Sequence, residues 1–124
     1  MALKTKSIFT KPSLDDGLRI CIMRKYYRQK HPKYFGVDKH WIELSPSEEL
    51  LKDYHKGLPW EDYVGRFTQE VLVPQADKIK ELAHMATSKD ITLLCYERTP
   101  ENCHRRLVAL ACKMYQPSLE LILE

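Results

Sequence analysis

Ile91-Thr92-Leu93-Leu94-Cys95-Tyr96 is the stretch that decides the fold. Its apolar residues fall on both alternating faces, the pattern of a strand buried on both sides and central in its sheet. The segment after it, Glu97-Arg98-Thr99-Pro100-Glu101-Asn102-Cys103-His104-Arg105-Arg106, reads as a short loop entering a helix opened by Thr99-Pro100-Glu101. Cys103, Leu107, Leu110, Ala111 and Met114 form the apolar stripe expected of that helix, and Pro117 ends it. A last short strand is expected over 119–123.

Upstream, the 3.6-residue period predicts two more helices. One places Trp60, Val64, Phe67 and Val71 on its inner face and is interrupted by Pro74; the next uses Ile79, Leu82, Ala83 and Ala86. Before them, Ser45-Pro46-Ser47-Glu48 carries start signals: Ser45 as cap, Pro46 at the first helical position and Glu48 completing a capping box. That helix should run to about His55 and stop near Gly57. Two strands open the chain, over 3–9 and 18–23, joined by turn chemistry at Pro12, Ser13 and Asp15-Asp16-Gly17. Residues 24–40 show no clean period and read as a long loop. Strands separated by helices define an α/β class: a small single domain over 1–124, a mixed sheet covered by helices.

Composition agrees with that reading. The chain has 124 residues, 44% hydrophobic and 30% charged, the profile of one globular domain. No apolar run approaches the ~18 residues of a membrane span, so no membrane is expected as a partner. The first thirteen residues are basic and free of acids, but no apolar signal core follows. Four cysteines, Cys21, Cys95, Cys103 and Cys112, are read as reduced thiols in a cytoplasmic protein. Three of them sit in apolar runs, and a chain of this size forms a core without staples.

Charge is unevenly placed. The formal net charge is +3; residues 1–62 carry 12 Lys/Arg against 9 Asp/Glu, whereas residues 63–124 carry 8 of each. Residues 18–40 hold seven basic side chains against Asp38 alone, a field that attracts polyanions.

The strand-to-helix junction carries the chemistry. A helix N-terminus offers free N–H groups and about half a positive charge, yet His104, Arg105 and Arg106 stand there. Cations at that end are unfavourable for the helix itself, so the placement points to an anion. The expected site is a phosphate pocket with Glu97 and His104 as the groups for proton transfer. Arg24, Arg28, Cys103, Arg105 and Arg106 are the ligand-binding residues, although helical geometry turns Arg105 toward solvent. The plain structural alternative pairs Glu97 and Glu101 with the arginines and leaves Cys103 as a core thiol. A phosphatase loop is excluded, because six positions after Cys95 stands Glu101 and not Arg. Cys95, Cys103 and His104 are metal-ligand types, but no Cys-x-x-Cys knuckle accompanies them. Neighbours on a helix point about 100° apart, so no metal and no cofactor is expected.

Residues 93–105 resemble the Cys-x-Glu-x-x-Pro-x-x-Cys-His-Arg signature of the domain of unknown function 488, whose short members are the YeaO-like proteins. Asp16-Gly17-Leu18-Arg19 with Arg24, and Trp41 through Ser47, resemble further segments of that family. Met23 stands where the family commonly has Asp, and Tyr26-Tyr27-Arg28 where its short members have Trp-Pro-Arg. The resemblance implies a small α/β fold, marks Arg24, Glu97, Cys103, His104 and Arg105, and brings no activity with it.

Lys25, Tyr26, Tyr27, Arg28, Lys30, Lys33, Tyr34 and Phe35 interleave cations with aromatics. Single-stranded nucleic acids are bound that way, rings stacking on bases while cations meet phosphates. The expected function is binding of a phosphate-bearing ligand, a nucleic acid or nucleotide. The alternative is a non-catalytic interaction module in which the same aromatics make a homo-oligomer contact.

Overall fold

A computed structural model describes residues 1–24, 35–97 and 101–124. Five strands, β1 (Ala2–Ser7), β2 (Leu18–Cys21), β3 (Lys39–His40), β4 (Ile91–Cys95) and β5 (Glu120–Leu123), form one sheet in the order β3-β2-β4-β1-β5. Every pairing is parallel, so the α/β class and single domain hold while the sheet is parallel throughout, not mixed. β4 is the central strand; Ile91 sits in register with Leu3 on one side and Leu18 on the other. All five of its residues are buried, as a strand flanked on both edges requires.

The helices are α1 (Glu48–His55), α2 (Trp60–Phe67), α3 (Ala76–Met85) and α4 (His104–Tyr115), with a π-helical turn over Thr68–Leu72 continuing α2. The main core joins Leu3, Ile20, Ile91 and Leu93 of the sheet to Leu50, Tyr63, Phe67, Ile79, Leu82, Val108 and Cys112 of the helices. Ser47, not Ser45, caps α1, its Oγ accepting from the Leu50 N–H at 3.1 Å. Ser45 instead donates to the Ile42 carbonyl and closes a 3-10 turn over Ile42–Leu44. In α4 the stripe is out of phase with the sequence expectation: Arg105, Val108, Ala109 and Cys112 are buried, while Leu110 and Met114 face solvent. The cause is the start of the helix. Cys103 is the extended N-cap residue (φ −134°, ψ 142°), so the helical phase is counted from His104.

The opposite face of the sheet carries Lys4, Lys6, Arg19 and Thr92, all buried, because alternate residues of a strand point to opposite faces. Asp16 meets them. Its carboxylate lies 2.6 Å from Lys6 Nζ and 2.5 Å from Arg19 Nη1, and it accepts from the Ser13 N–H and hydroxyl. Arg19 also donates to the carbonyls of Gly36 and Phe35 at 2.9 and 3.0 Å, so the network ties the return of the chain to the sheet. Gly17 is required beside it: φ is +64°, and a Cβ would lie 2.0 Å from the Asp90 carbonyl oxygen.

Burial raises the Asp16 pKa, but the hydrogen bonds from Lys6, Ser13 and Arg19 outweigh it and hold the group at about 2, against an ordinary 3.8. A depressed carboxylate contributes stability above its unfolded pKa and loses it as pH falls through the folded one. A fall from 3.8 to about 2 corresponds to about 2.5 kcal/mol. Urea unfolding from about pH 5 to about pH 2 should show that loss in the parent and not in Asp16→Asn; an identical drop in both would contradict it.

Candidate functional site

In the sheet the strand that follows β2 lies toward one edge, and the strand that follows β4 lies toward the other. Where neighbouring parallel strands send their connections apart, a crevice opens beyond their carboxyl ends. A cleft of about 680 Å³ lies there. Met23 and Arg24 enter it from the end of β2, and Cys95, Tyr96 and Glu97 from the end of β4. Asn102, Cys103 and His104 come from the start of α4; Lys52, Tyr54 and His55 of α1 and Tyr63 of α2 form the facing wall.

Three side chains converge at its floor. Cys103 Sγ donates to Cys95 Sγ at 2.8 Å, and His104 Nδ1 lies 3.3 Å from Cys95 Sγ and 4.0 Å from Cys103 Sγ. Cys103 and His104 are not splayed by 100° as two helical neighbours would be, because Cys103 is extended and only His104 is helical, which lets both side chains turn toward the strand end. A carbonyl only accepts, so His104 Nε2, 2.6 Å from the Ile22 oxygen, carries the proton and leaves Nδ1 facing the sulfurs. Phe67 packs against the imidazole with ring centroids 5.6 Å apart.

The two thiols differ. Burial opposes a Cys95 thiolate, but the hydrogen bond from Cys103, the Arg105 charge and the backbone N–H groups of Glu97 and Tyr96 outweigh it, and its pKa falls below the ordinary value. Burial raises Cys103, and its hydrogen bond to Cys95 and the charge there add to the rise. Of the two thiols, Cys95 is therefore the one that gives up its proton more readily. Burial, then the charges of Cys95 and Cys103, push the Tyr63 hydroxyl up, so the aromatic wall stays neutral. Cys21 and Cys112 are raised by burial to about 11 and about 12 and stand apart from the cluster.

Of the sequence-predicted residues, Glu97, His104, Arg24 and Cys103 are brought together at the cleft. Arg24 Nε donates to the Pro46 carbonyl at 2.7 Å, which aims the guanidinium along the entrance of α1. Arg105 is a correction. It is fully buried rather than solvated, donating to the Glu97 oxygen at 2.7 Å and the Glu124 main-chain oxygen at 3.0 Å, while its Nε has no partner among the described residues. The re-phased α4 puts it inside. Arg106 is half-buried, reaches the Glu101 oxygen at 3.4 Å and does not line the cleft. Arg28 lies outside the described residues, as does the basic aromatic segment 25–34. Sequence reasoning missed the α1–α2 wall. There Tyr54, Trp60 and Tyr63 cluster with ring centroids 4.9 to 6.0 Å apart.

Fold and site together define a parallel α/β domain with a thiol–imidazole cluster under a switch-point cleft. The chain belongs to the DUF488-N3a family: the family model described as the active DUF488-N3 subclade matches residues 3–115. Neither the curated proteins nor the solved structures offer a match. Among the described residues no helix is long and apolar enough to cross a membrane.

Proposed function

We propose that the protein binds a phosphate-bearing ligand of the nucleotide class, free or at the end of a nucleic acid, in the cleft beyond β2 and β4. The observation that carries this reading is the position of the cleft at the point where the connections of two parallel strands diverge. Its chemistry suits both halves of such a ligand. Met23, Tyr54 and Tyr63 offer an apolar, aromatic wall for a ring. For the phosphate, α4 presents an N-terminus with no side-chain cap and no acid in its first turn. Arg24 and Lys52 stand at the same cleft, balanced by Glu48 and Glu97, so the recognition is local and not a property of net charge. Lys25 and Arg28 follow Arg24 within four positions of the sequence and extend the reading to longer nucleic acids. The description of the family subclade as active suits a site that does more than bind; Glu97 and His104 are the groups proposed for proton transfer.

A nucleoside monophosphate should bind about ten-fold or more tightly than its nucleoside, and Arg24→Ala should remove most of that difference, since a charge-assisted hydrogen bond contributes about 1.5–3 kcal/mol. Calorimetric titration of both ligands across a salt series is the test. Equal affinity for nucleoside and nucleotide, or binding of neither, would overturn the reading.

A further inference from the structure

Nothing in that reading uses the two sulfurs at the floor of the cleft. We propose that Cys95, Cys103 and His104 form a binding site for a single thiophilic divalent cation of the zinc type. The three donor atoms lie within 4.8 Å of one another and all three residues are buried. A tetrahedral ion at ~2.3 Å from sulfur and ~2.0 Å from nitrogen holds sulfur and nitrogen about 3.5 Å apart and two sulfurs about 3.8 Å apart. The two sulfur–nitrogen separations, 3.3 and 4.0 Å, bracket the first value, and the sulfurs, 2.8 Å apart, must part by about 1 Å, a movement that rotation of the two cysteine side chains supplies.

The imidazole is already set for the role. Its Nε2–H is held by the Ile22 carbonyl at 2.6 Å, which fixes the tautomer and directs the Nδ1 lone pair at the sulfurs. Metal-ligating histidines are oriented by that same kind of backbone contact. The donor set selects the ion. Two sulfurs and one imidazole, with no carboxylate in the cluster, suit zinc and disfavour magnesium and calcium, which take oxygen ligands.

The site also has an entrance. All three ligands line the cleft, so a fourth position faces the volume in which a ligand would sit, the arrangement of an open metal centre and not of a closed structural one. Binding exchanges thiol protons for the ion, the protons leaving to solvent with no change of oxidation state. The proposal stands on the cluster geometry alone and does not depend on nucleotide binding; with the ion bound, His104 is a ligand and proton transfer falls to Glu97.

Cobalt(II) added to the reduced, chelator-treated full chain is the test. One ion per chain should bind, with sulfur-to-metal charge-transfer absorption in the near ultraviolet and visible bands of a tetrahedral ion, both lost when zinc displaces it. Cys103→Ser and His104→Gln should each weaken uptake by more than about 100-fold, and His84→Ala, exposed on α3 and outside the cleft, should leave it unchanged. A reduced, folded parent chain that takes up neither cobalt nor zinc would overturn the proposal, even where a variant fails to fold. So would uptake that survives loss of both cysteines. A parent that instead closes a Cys95–Cys103 disulfide in air and binds no metal after reduction would show a dithiol and contradict the metal site. Repeating the nucleotide titration on the chelator-treated chain keeps the two readings separable.

Discussion

Asp16→Ala should destabilise the protein by about 3–5 kcal/mol. Asp16 is the hub of the polar face of the sheet: it holds Lys6 and Arg19, both buried, and accepts two hydrogen bonds from Ser13. Removing the carboxylate leaves two buried cations without their counter-charge. Arg19 would then hold the segment at Phe35 and Gly36 by carbonyl contacts alone. Urea denaturation at neutral pH measures the loss. A cost below about 1 kcal/mol would mean that Lys6 and Arg19 reach solvent, and the buried network would be wrong.

Arg105→Ala is expected to cost a similar amount, about 3–5 kcal/mol, with little effect on ligand affinity. The side chain is fully buried and donates to the oxygens of Glu97 and Glu124, joining the loop after β4 to the end of β5. Its loss removes two charge-assisted hydrogen bonds and leaves a cavity. Arg105→Lys should restore little, because an ammonium cannot span two acceptors in the planar geometry of a guanidinium. The paired measurement is unfolding stability together with nucleotide affinity. Unchanged stability with lost affinity would return Arg105 to the ligand-binding role first expected of it.

These two residues also show what the sequence makes legible. Ile91–Cys95 announced itself as a central strand because both faces are apolar, and the structure places it between β2 and β1. The helical periods of 79–86 and the stop near Gly57 were equally readable. Asp16 was read as turn chemistry only, since its partners Lys6 and Arg19 meet it through the alternation of two strands whose pairing no local pattern encodes. Arg105 was misplaced by one residue of helical phase. Counting Cys103 as helical turned the apolar stripe toward Leu110 and Met114, both of which are exposed. That same error set Cys103 and His104 apart, so the cluster they form with Cys95 was discounted. The strand β3, two residues long and without an apolar pattern, left no signal at all. The lining of the cleft was half legible: helix-end electrostatics pointed to Glu97, Cys103 and His104, and the family resemblance to Arg24, and all four line it. The wall of Tyr54 and Tyr63 depends on how α1 and α2 pack over the strand ends.

The central claim is that the crevice beyond β2 and β4 is where a phosphate-bearing ligand binds, and amide chemical-shift mapping with a nucleoside monophosphate tests it most directly. The account predicts that shifts concentrate at residues 22–24, 95–97 and 102–104 and at Tyr54 and Tyr63, and disappear in Arg24→Ala. Shifts confined to the opposite face around Lys4 and Lys6, or none at millimolar nucleotide, would contradict it.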